Sequence, residues 1–276
     1  MVEKIVSPDG VGVSVEMSGA EDAPRIIFIH GVLQSRLCWK LQMNDPRFSG
    51  YRRVAYDLRG HGASDKPDIA ELYQGSEVWA QELAAVIENS GTQPPILVGW
   101  SFGGKIMLDY ISQYGADGLA GMVMVDAPSR TGPGNRNEVS ARLLGEAMSD
   151  DLKTMVAGRI AFFDMCFVRQ PDAQTYKECL ATNFLMPTSV LRALGGKPVQ
   201  HDDTLKAFHL PAMVVQGDED ELITKDKGKL HAELISGARY VEYAGVGHSP
   251  FLEVPDDFNA DLFEFVERVR SSIAGN

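Results

Sequence analysis

The feature that most constrains the fold is a short apolar run that leads directly into the sequence Gly-Trp-Ser-Phe-Gly at residues 99–103. Residues 96–98 predict a buried strand, and the apolar residues after Gly103 recur with helical periodicity. A Gly-x-Ser-x-Gly sequence between a strand and a helix is typical of a nucleophile elbow, which lifts a serine hydroxyl above the edge of a sheet. Gly99 and Gly103 are expected because strand and helix pass too close there for a Cβ. Taken alone, these five residues could also form a glycine-rich turn in which Ser101 caps a helix.

Strands and helices alternate along most of the chain. Strands are predicted at residues 3–6, 11–17, 25–31, 51–57, 96–98, 121–126, 211–217 and 238–243. Helices are predicted around Trp39, at 77–89, from the elbow to about residue 114, at 225–234 and at 256–269. This alternation predicts an α/β fold with a mostly parallel, doubly wound sheet of eight strands.

Residues 129–207 interrupt this alternation, because they show no strand pattern and consist of helical stretches rich in Met, Leu and Phe. We therefore predict a core domain of residues 1–128 and 208–276, with a helical cap, or lid, inserted at 129–207. Apolar side chains of the cap are expected to pack on the core and to line an apolar pocket above Ser101. The candidates are Leu143, Leu144, Met148, Met155, Phe162, Phe163, Met165, Phe167, Phe184 and Met186.

The residues at the predicted strand ends suggest a catalytic site, because ligands bind open parallel sheets at the carboxyl ends of their strands. A serine hydroxyl needs a general base to act as a nucleophile, and a histidine base needs an acid that orients it. Ser101, Asp220 and His248 could supply these three roles. Asp126, which ends the strand after the elbow helix, is the alternative acid, and the acidic residues around Asp220 could also be only a solvated loop.

The chain resembles the α/β-hydrolase superfamily over nearly its whole length. The resemblance rests on His30-Gly31, residues 57–64 (Asp-Leu-Arg-Gly-His-Gly-Ala-Ser), the elbow, and the later Gly-x-x-Asp and Gly-His sequences, in that order. The superfamily shows the same order of serine, aspartate and histidine. The chain is most similar to its branch of small esterases, lactone hydrolases and cofactor-free haloperoxidases. The resemblance implies an α/β-hydrolase fold and an oxyanion hole made by the backbone N–H groups of Val32 and Phe102.

We therefore expect a metal-free serine hydrolase of the carboxylesterase or lactonase type. Its substrate would be a small apolar ester or lactone, cleaved through an acyl-enzyme intermediate. No cofactor is expected, since no Gly-x-Gly-x-x-Gly sequence follows a strand. Two alternatives keep the same fold. One is a C–C bond hydrolase, or a cofactor-free enzyme of dioxygenase or perhydrolase type in which His248 is the base; the other is a hydrolase-like ligand receptor.

Composition narrows the range of partners and compartments. A net charge of −12 disfavours nucleic acids and anionic membrane surfaces as partners. The chain has three cysteines, an odd number, and no Cys-x-x-Cys sequence. This pattern indicates neither a disulfide framework nor a zinc site, and it is typical of a protein of the reducing cytoplasm. No apolar run approaches the roughly 18 residues that a spanning helix needs. We expect a cytoplasmic monomer or homodimer without a membrane span.

The remaining histidines are predicted to have no part in catalysis. His30 and His61 flank glycines in turns, so we expect them to make structural hydrogen bonds. His201, His209 and His231 show no metal-ligand spacing and are predicted to lie on the surface.

Overall fold

An eight-stranded sheet organises the computed structural model, which describes residues 2–132, 137–194 and 198–274. In chain order its strands are β1 (Val2–Val6), β2 (Gly12–Ser18), β3 (Arg25–Ile29), β4 (Arg52–Tyr56), β5 (Pro95–Trp100), β6 (Gly121–Val125), β7 (Ala212–Gly217) and β8 (Arg239–Tyr243). Their order across the sheet is β1-β2-β4-β3-β5-β6-β7-β8. Strand β2 is antiparallel to both of its neighbours, and all other neighbours are parallel. The predicted fold class is confirmed.

Helices connect the strands and cover both faces of the sheet. The α-helices in the described ranges are α1 (Lys40–Met43), α2 (Glu77–Glu88), α3 (Phe102–Tyr114), α4 (Glu138–Ala147), α5 (Leu152–Asp164), α6 (Ala173–Asn183), α7 (Thr188–Ala193), α8 (Asp202–Ala207), α9 (Lys225–Leu234), α10 (Pro250–Glu253) and α11 (Pro255–Ala274). Short 3-10 helices lie at Arg36–Trp39, Pro46–Phe48 and Ala70–Tyr73. Within these residues, no helix has the length and apolar character to cross a membrane.

The sheet separates two apolar clusters, one on each face. Successive side chains of a strand point to opposite faces. Strand β3 therefore gives Ile27 and Ile29 to one cluster, and Ile26 and Phe28 to the other. All five residues of β3 are buried. Burial on both faces explains why the central strands read as continuous apolar runs rather than as alternating patterns.

The described residues between β6 and β7 include the five helices α4 to α8. The two ends of this stretch lie side by side, because the N–H of His201 donates to the carbonyl of Ser129 at 2.8 Å. Inside it, the buried guanidinium of Arg159 donates to the carbonyls of Asn183 at 2.6 Å and Met186 at 2.9 Å. These bonds join α5 to the turn between α6 and α7. The division of the chain into a core and a cap at residues 129 and 207 stays a prediction.

His30 and His61 are buried and hydrogen-bonded to the backbone, as expected. Nε2 of His30 accepts from the N–H of Leu58 at 3.0 Å, and its Nδ1 lies 2.7 Å from the carbonyl oxygen of Gly31. Nδ1 of His61 lies 2.9 Å from the carbonyl oxygen of Arg59. Burial lowers the pKa of His30 to about 4 and that of His61 to about 3. Both rings are therefore neutral at physiological pH and hold the loops after β3 and β4.

The surface prediction is wrong for two of the other three histidines. His201 and His231 are buried, whereas His209 is exposed. Nε2 of His201 lies 2.9 Å from Oδ1 of Asp109, and Nε2 of His231 lies 2.9 Å from Oγ of Ser129. Burial lowers the pKa of His231 to about 4. The lack of metal-ligand spacing around a histidine carries no information about its burial, which depends here on contacts between distant segments.

The close approach of α3 to the sheet accounts for both elbow glycines. A Cβ on Gly99 would lie 2.7 Å from Cα of Gly104, and a Cβ on Gly103 would lie 2.3 Å from the carbonyl oxygen of Ile29. Both obstacles are backbone atoms of the packed core, which cannot move aside as a flexible side chain can. The expectation drawn from the sequence for these two positions therefore agrees with the structure.

We predict that Gly103→Ala destabilises the protein by about 3 kcal/mol or more, because the added methyl group pushes α3 away from β3. The matched control is Gly145→Ala in the exposed face of α4, where a Cβ meets nothing within 4 Å. This control should gain about 0.5–1 kcal/mol through helix propensity. Urea unfolding followed by circular dichroism measures both changes. Equal stabilities of the two variants would contradict the packing argument.

Candidate active site

The elbow holds Ser101 in a strained backbone conformation between β5 and α3. Its φ is 52° and its ψ is −118°, values that few residues other than glycine adopt. The N–H of Ser101 donates to the carbonyl of Val125 at 3.0 Å, and its carbonyl accepts from the N–H of Gly104 at 3.0 Å. Strain of this kind persists only where the surrounding structure fixes it, and it clusters at functional sites.

His248 lies in the turn after β8 and is tied to the strand that carries the elbow. Its carbonyl accepts from Nε1 of Trp100 at 2.7 Å, and the two rings pack with their centroids 5.6 Å apart. Nδ1 of His248 lies 2.7 Å from Oδ2 of Asp220. Glu253 fixes the same turn, since its Oε1 accepts from the N–H of Gly247 at 2.9 Å. The imidazole is 2% exposed and therefore has a defined orientation.

Asp220 follows β7, and both of its carboxylate oxygens are used. Oδ1 accepts from the N–H groups of Leu222 at 2.7 Å and Ile223 at 3.0 Å, while Oδ2 pairs with His248. A carboxylate in this position fixes the Nδ1–H tautomer and leaves Nε2 available as a base. Among the described residues, no hydrogen bond joins the hydroxyl of Ser101 to the imidazole. In unliganded enzymes such a bond is often long and tightens only when substrate binds.

Asp126, the alternative acid, ends β6 close to this pair. One ligand atom each of Asp126, Asp220 and His248 lies within 4.8 Å of the others. Such spacing would also suit a metal ion, but Nδ1 of His248 and Oδ2 of Asp220 are already bonded to each other. Oδ1 of Asp126 accepts from the N–H of Gly217 at 2.9 Å and from Nε2 of Gln216 at 2.8 Å. The imidazole therefore bonds to Asp220, and Asp126 lies behind it.

The residues expected to form an oxyanion hole lie beside the same space as Ser101. Val32 and Phe102 line one cavity with the serine. Phe102 is the first residue of α3, where backbone N–H groups lack partners within the helix. Within the described part of the chain, the backbone N–H groups of Val32 and Phe102 donate no hydrogen bond. Two free donors beside a nucleophile could stabilise a developing negative charge.

The cavity above Ser101 has a volume of about 220 Å³ and a mainly apolar wall. The wall comprises Val32, Phe102, Pro128, Arg130, Thr131, Gly132, Ser140, Leu144, Met148, Phe162, Leu191, Arg192, Leu194, Leu222 and Ile223. Arg130 is paired with Asp202, and Arg192 with Asp150. A small, largely uncharged group therefore suits this space best.

The sequence predicted part of this wall and missed the rest. Leu144, Met148 and Phe162 line the cavity as predicted. Other candidates, such as Phe163 and Met186, are buried in the apolar clusters instead. Leu191 and Leu194 of the α7 region, and Leu222 and Ile223 after the acidic run, were not anticipated. The sequence could have indicated Leu222 and Ile223, because they form an apolar pair close after Asp220, the predicted catalytic acid.

Comparisons with known proteins show what this chain is similar to. The chain matches the family model of the alpha/beta hydrolase family over residues 26–261. A crystal structure from Burkholderia cenocepacia, provisionally described as an aryl esterase, is 37% identical, covers 98% of this chain and 100% of that chain, and has a TM-score of 0.91. The bifunctional esterase/perhydrolase DCH of Acinetobacter calcoaceticus is 27% identical over 95% of this chain and 98% of that protein. A non-heme chloroperoxidase of Streptomyces lividans is 25% identical over 95% of this chain and 99% of that protein.

Proposed function

The chain belongs to the alpha/beta hydrolase family, and from this membership we propose that it is a metal-free serine hydrolase of carboxylic esters or lactones. The observation that carries the proposal is the strained Ser101 beside an apolar cavity, with a buried, hydrogen-bonded Asp220–His248 pair tied to the adjacent Trp100. Similarity to proteins named as esterases supports ester cleavage as the reaction.

In the proposed acylation step, Oγ of Ser101 attacks the substrate carbonyl carbon while Nε2 of His248 takes the hydroxyl proton. The carbonyl oxygen becomes an oxyanion held by the N–H groups of Val32 and Phe102. The C–O bond to the alcohol then breaks, and His248 returns the proton to the leaving oxygen. Asp220 stays ionised throughout and stabilises the imidazolium. The products are the free alcohol and an acyl group on Ser101.

Deacylation repeats these steps with water as the nucleophile. His248 takes a proton from water as the oxygen attacks the acyl carbon, and the proton then passes to Oγ of Ser101 as the ester bond breaks. The acid leaves and the serine is regenerated. With a lactone the alcohol and the acid are parts of one molecule, so a single hydroxy acid is released.

The cavity supports an apolar acyl group of limited size. A volume of about 220 Å³ lined mainly by apolar side chains suits a short acyl chain or a small ring. Leu144, Met148 and Phe162 reach this cavity from α4, from its C-terminal cap and from α5. We therefore treat residues 129–207 as a cap that contributes to substrate selection.

Perhydrolysis is the second candidate, favoured by the similarity to a protein named esterase/perhydrolase and to non-heme chloroperoxidases. In that reaction hydrogen peroxide replaces water in deacylation. The peroxide oxygen attacks the acyl carbon while His248 takes its proton, the bond to Ser101 breaks as that proton passes to Oγ, and a peracid leaves. The same serine, histidine and oxyanion donors would serve both reactions, so the two activities would be lost together in a Ser101 variant.

We predict that Ser101→Ala lowers kcat/KM for p-nitrophenyl butyrate by at least about 10³-fold, because the nucleophile is removed while the fold is kept. The matched control is Ser112→Ala, an exposed serine on the same helix α3. The control should retain wild-type activity. Initial rates and circular dichroism are measured on all three proteins. Near-native hydrolysis by folded Ser101→Ala would overturn the serine mechanism.

We also predict that Met148→Ala raises the ratio of kcat/KM for the octanoate ester to that for the butyrate ester by about tenfold, because it enlarges the acyl cavity. Met155→Ala is the matched control, since Met155 is a half-buried methionine of α5 that does not line the cavity. It should leave the ratio unchanged. Equal ratios in wild type and both variants would mean that the acyl group binds elsewhere.

A further inference from the structure

A buried carboxyl group that the mechanism does not use, that of Asp126, lies next to Asp220. Asp126 has no exposed surface and Asp220 is 5% exposed. One carboxyl oxygen of each lies within 4.8 Å of the other. Two carboxylates that share a water-excluded site repel each other strongly, so one of them keeps its proton.

The hydrogen bonds decide which of the two is ionised. Asp220 accepts from two backbone N–H groups and from His248, and all three donors favour its charged form. Oδ1 of Asp126 also accepts, from Gly217 and Gln216. Oδ2 of Asp126 is different, because it is buried and no donor among the described residues reaches it. A proton on this oxygen removes the unsatisfied acceptor and creates a donor.

We infer that Asp126 is a positioning residue that stays protonated at neutral pH and donates a hydrogen bond from Oδ2 to the carboxylate of Asp220. Through this bond it limits the negative charge that Asp220 presents to His248. The effect on catalysis rests on the proposed function, whereas the protonation of Asp126 does not depend on any activity.

Three further observations support the assignment. Burial, followed by the negative charge of Asp220, raises the pKa of Asp126 well above that of an ordinary aspartate. The backbone of Asp126 has a φ of 43°, in the left-handed region that aspartate and asparagine tolerate best. Nε2 of Gln216 links the pair, at 2.8 Å from Oδ1 of Asp126 and 3.4 Å from Oδ2 of Asp220. The carboxyl of Asp126 is thus fixed in place behind the acid that faces the histidine.

Other titratable groups surround the pair on every side. Besides His248, they are Glu253 of α10, Tyr240 of β8, Cys166 after α5 and Lys227 of α9. Burial raises the pKa of Tyr240 and of Cys166, so neither titrates near neutral pH. Burial raises the pKa of Glu253 and lowers that of Lys227. Variants Glu253→Gln and Lys227→Met therefore serve as controls for background charge.

Asp126→Asn is the decisive variant, because asparagine keeps the acceptor and supplies an N–H donor in place of the O–H. If Asp126 is neutral, the acidic limb of the kcat/KM profile should stay within about 0.3 pH units of wild type. Asp126→Ala removes the donor and leaves more charge on Asp220 to stabilise the imidazolium. Its acidic limb should move to higher pH by about 0.5–1 unit. An ionised Asp126 predicts the opposite, a move to lower pH in Asp126→Asn by about 1 unit or more, because a negative charge beside the imidazolium is lost.

The second readout is the infrared carbonyl band of a protonated carboxylic acid at pH 7, recorded on wild type and on Asp126→Asn. Burial also raises the pKa of Glu82, to about 7, so the signal is the band that wild type shows and Asp126→Asn lacks. We expect this band to remain in both control variants. Identical spectra of wild type and Asp126→Asn in this region would overturn the proposal. If wild type shows the band but cleaves no ester, the proposed function fails and the protonation stands. If wild type cleaves esters but shows no band, the proposed function stands and the protonation of Asp126 is wrong.

Discussion

The close approach of α3 to the central strands is the constraint on which the site depends. Only glycine fits at positions 99 and 103, because a Cβ there would collide with backbone atoms of α3 and β3. That approach places Ser101 in a turn with a φ of 52° and leaves the first N–H of α3 free beside it. The strain is offset by the packing of the apolar clusters on both faces of the sheet, which holds strand and helix together. The strained conformation of Ser101 is thus a consequence of core packing.

The proposed acid and base, Asp220 and His248, are held beside this turn by hydrogen bonds between strand ends that are distant in sequence. Trp100 binds the carbonyl of His248, Asp220 binds its ring, and Asp126 lies behind Asp220. The ends of β5, β6, β7 and β8 are neighbours in the sheet, which brings these four residues together. The stretch between β6 and β7 adds half of the apolar side chains of the cavity wall, namely Leu144, Met148, Phe162, Leu191 and Leu194. In the proposed function the strand ends carry the chemistry, while this stretch and the core share substrate selection, which fits a family whose members named here include esterases and haloperoxidases.

The sequence predicts the sheet well because its strands are buried on both faces and read as apolar runs, and it predicts the elbow because steric limits leave only glycine. The sequence also offers two candidate acids, Asp126 and Asp220. It does not show which of them bonds to His248, because that depends on hydrogen-bond geometry within a few ångströms. Burial of His201 and His231 was missed for the same reason, because each is covered by a segment far away in sequence. The cavity residues near Leu191 were missed because periodicity shows which face of a helix is apolar but not what that face contacts.

The most direct measurement is the intact mass of the protein after incubation with a fluorophosphonate, for wild type and Ser101→Ala. The reagent reacts only with a serine that has a working base and a stabilised oxyanion. We expect one adduct on wild type and none on folded Ser101→Ala. An unlabelled, folded wild type, or equal labelling of both proteins, would show that Ser101 is not an activated nucleophile.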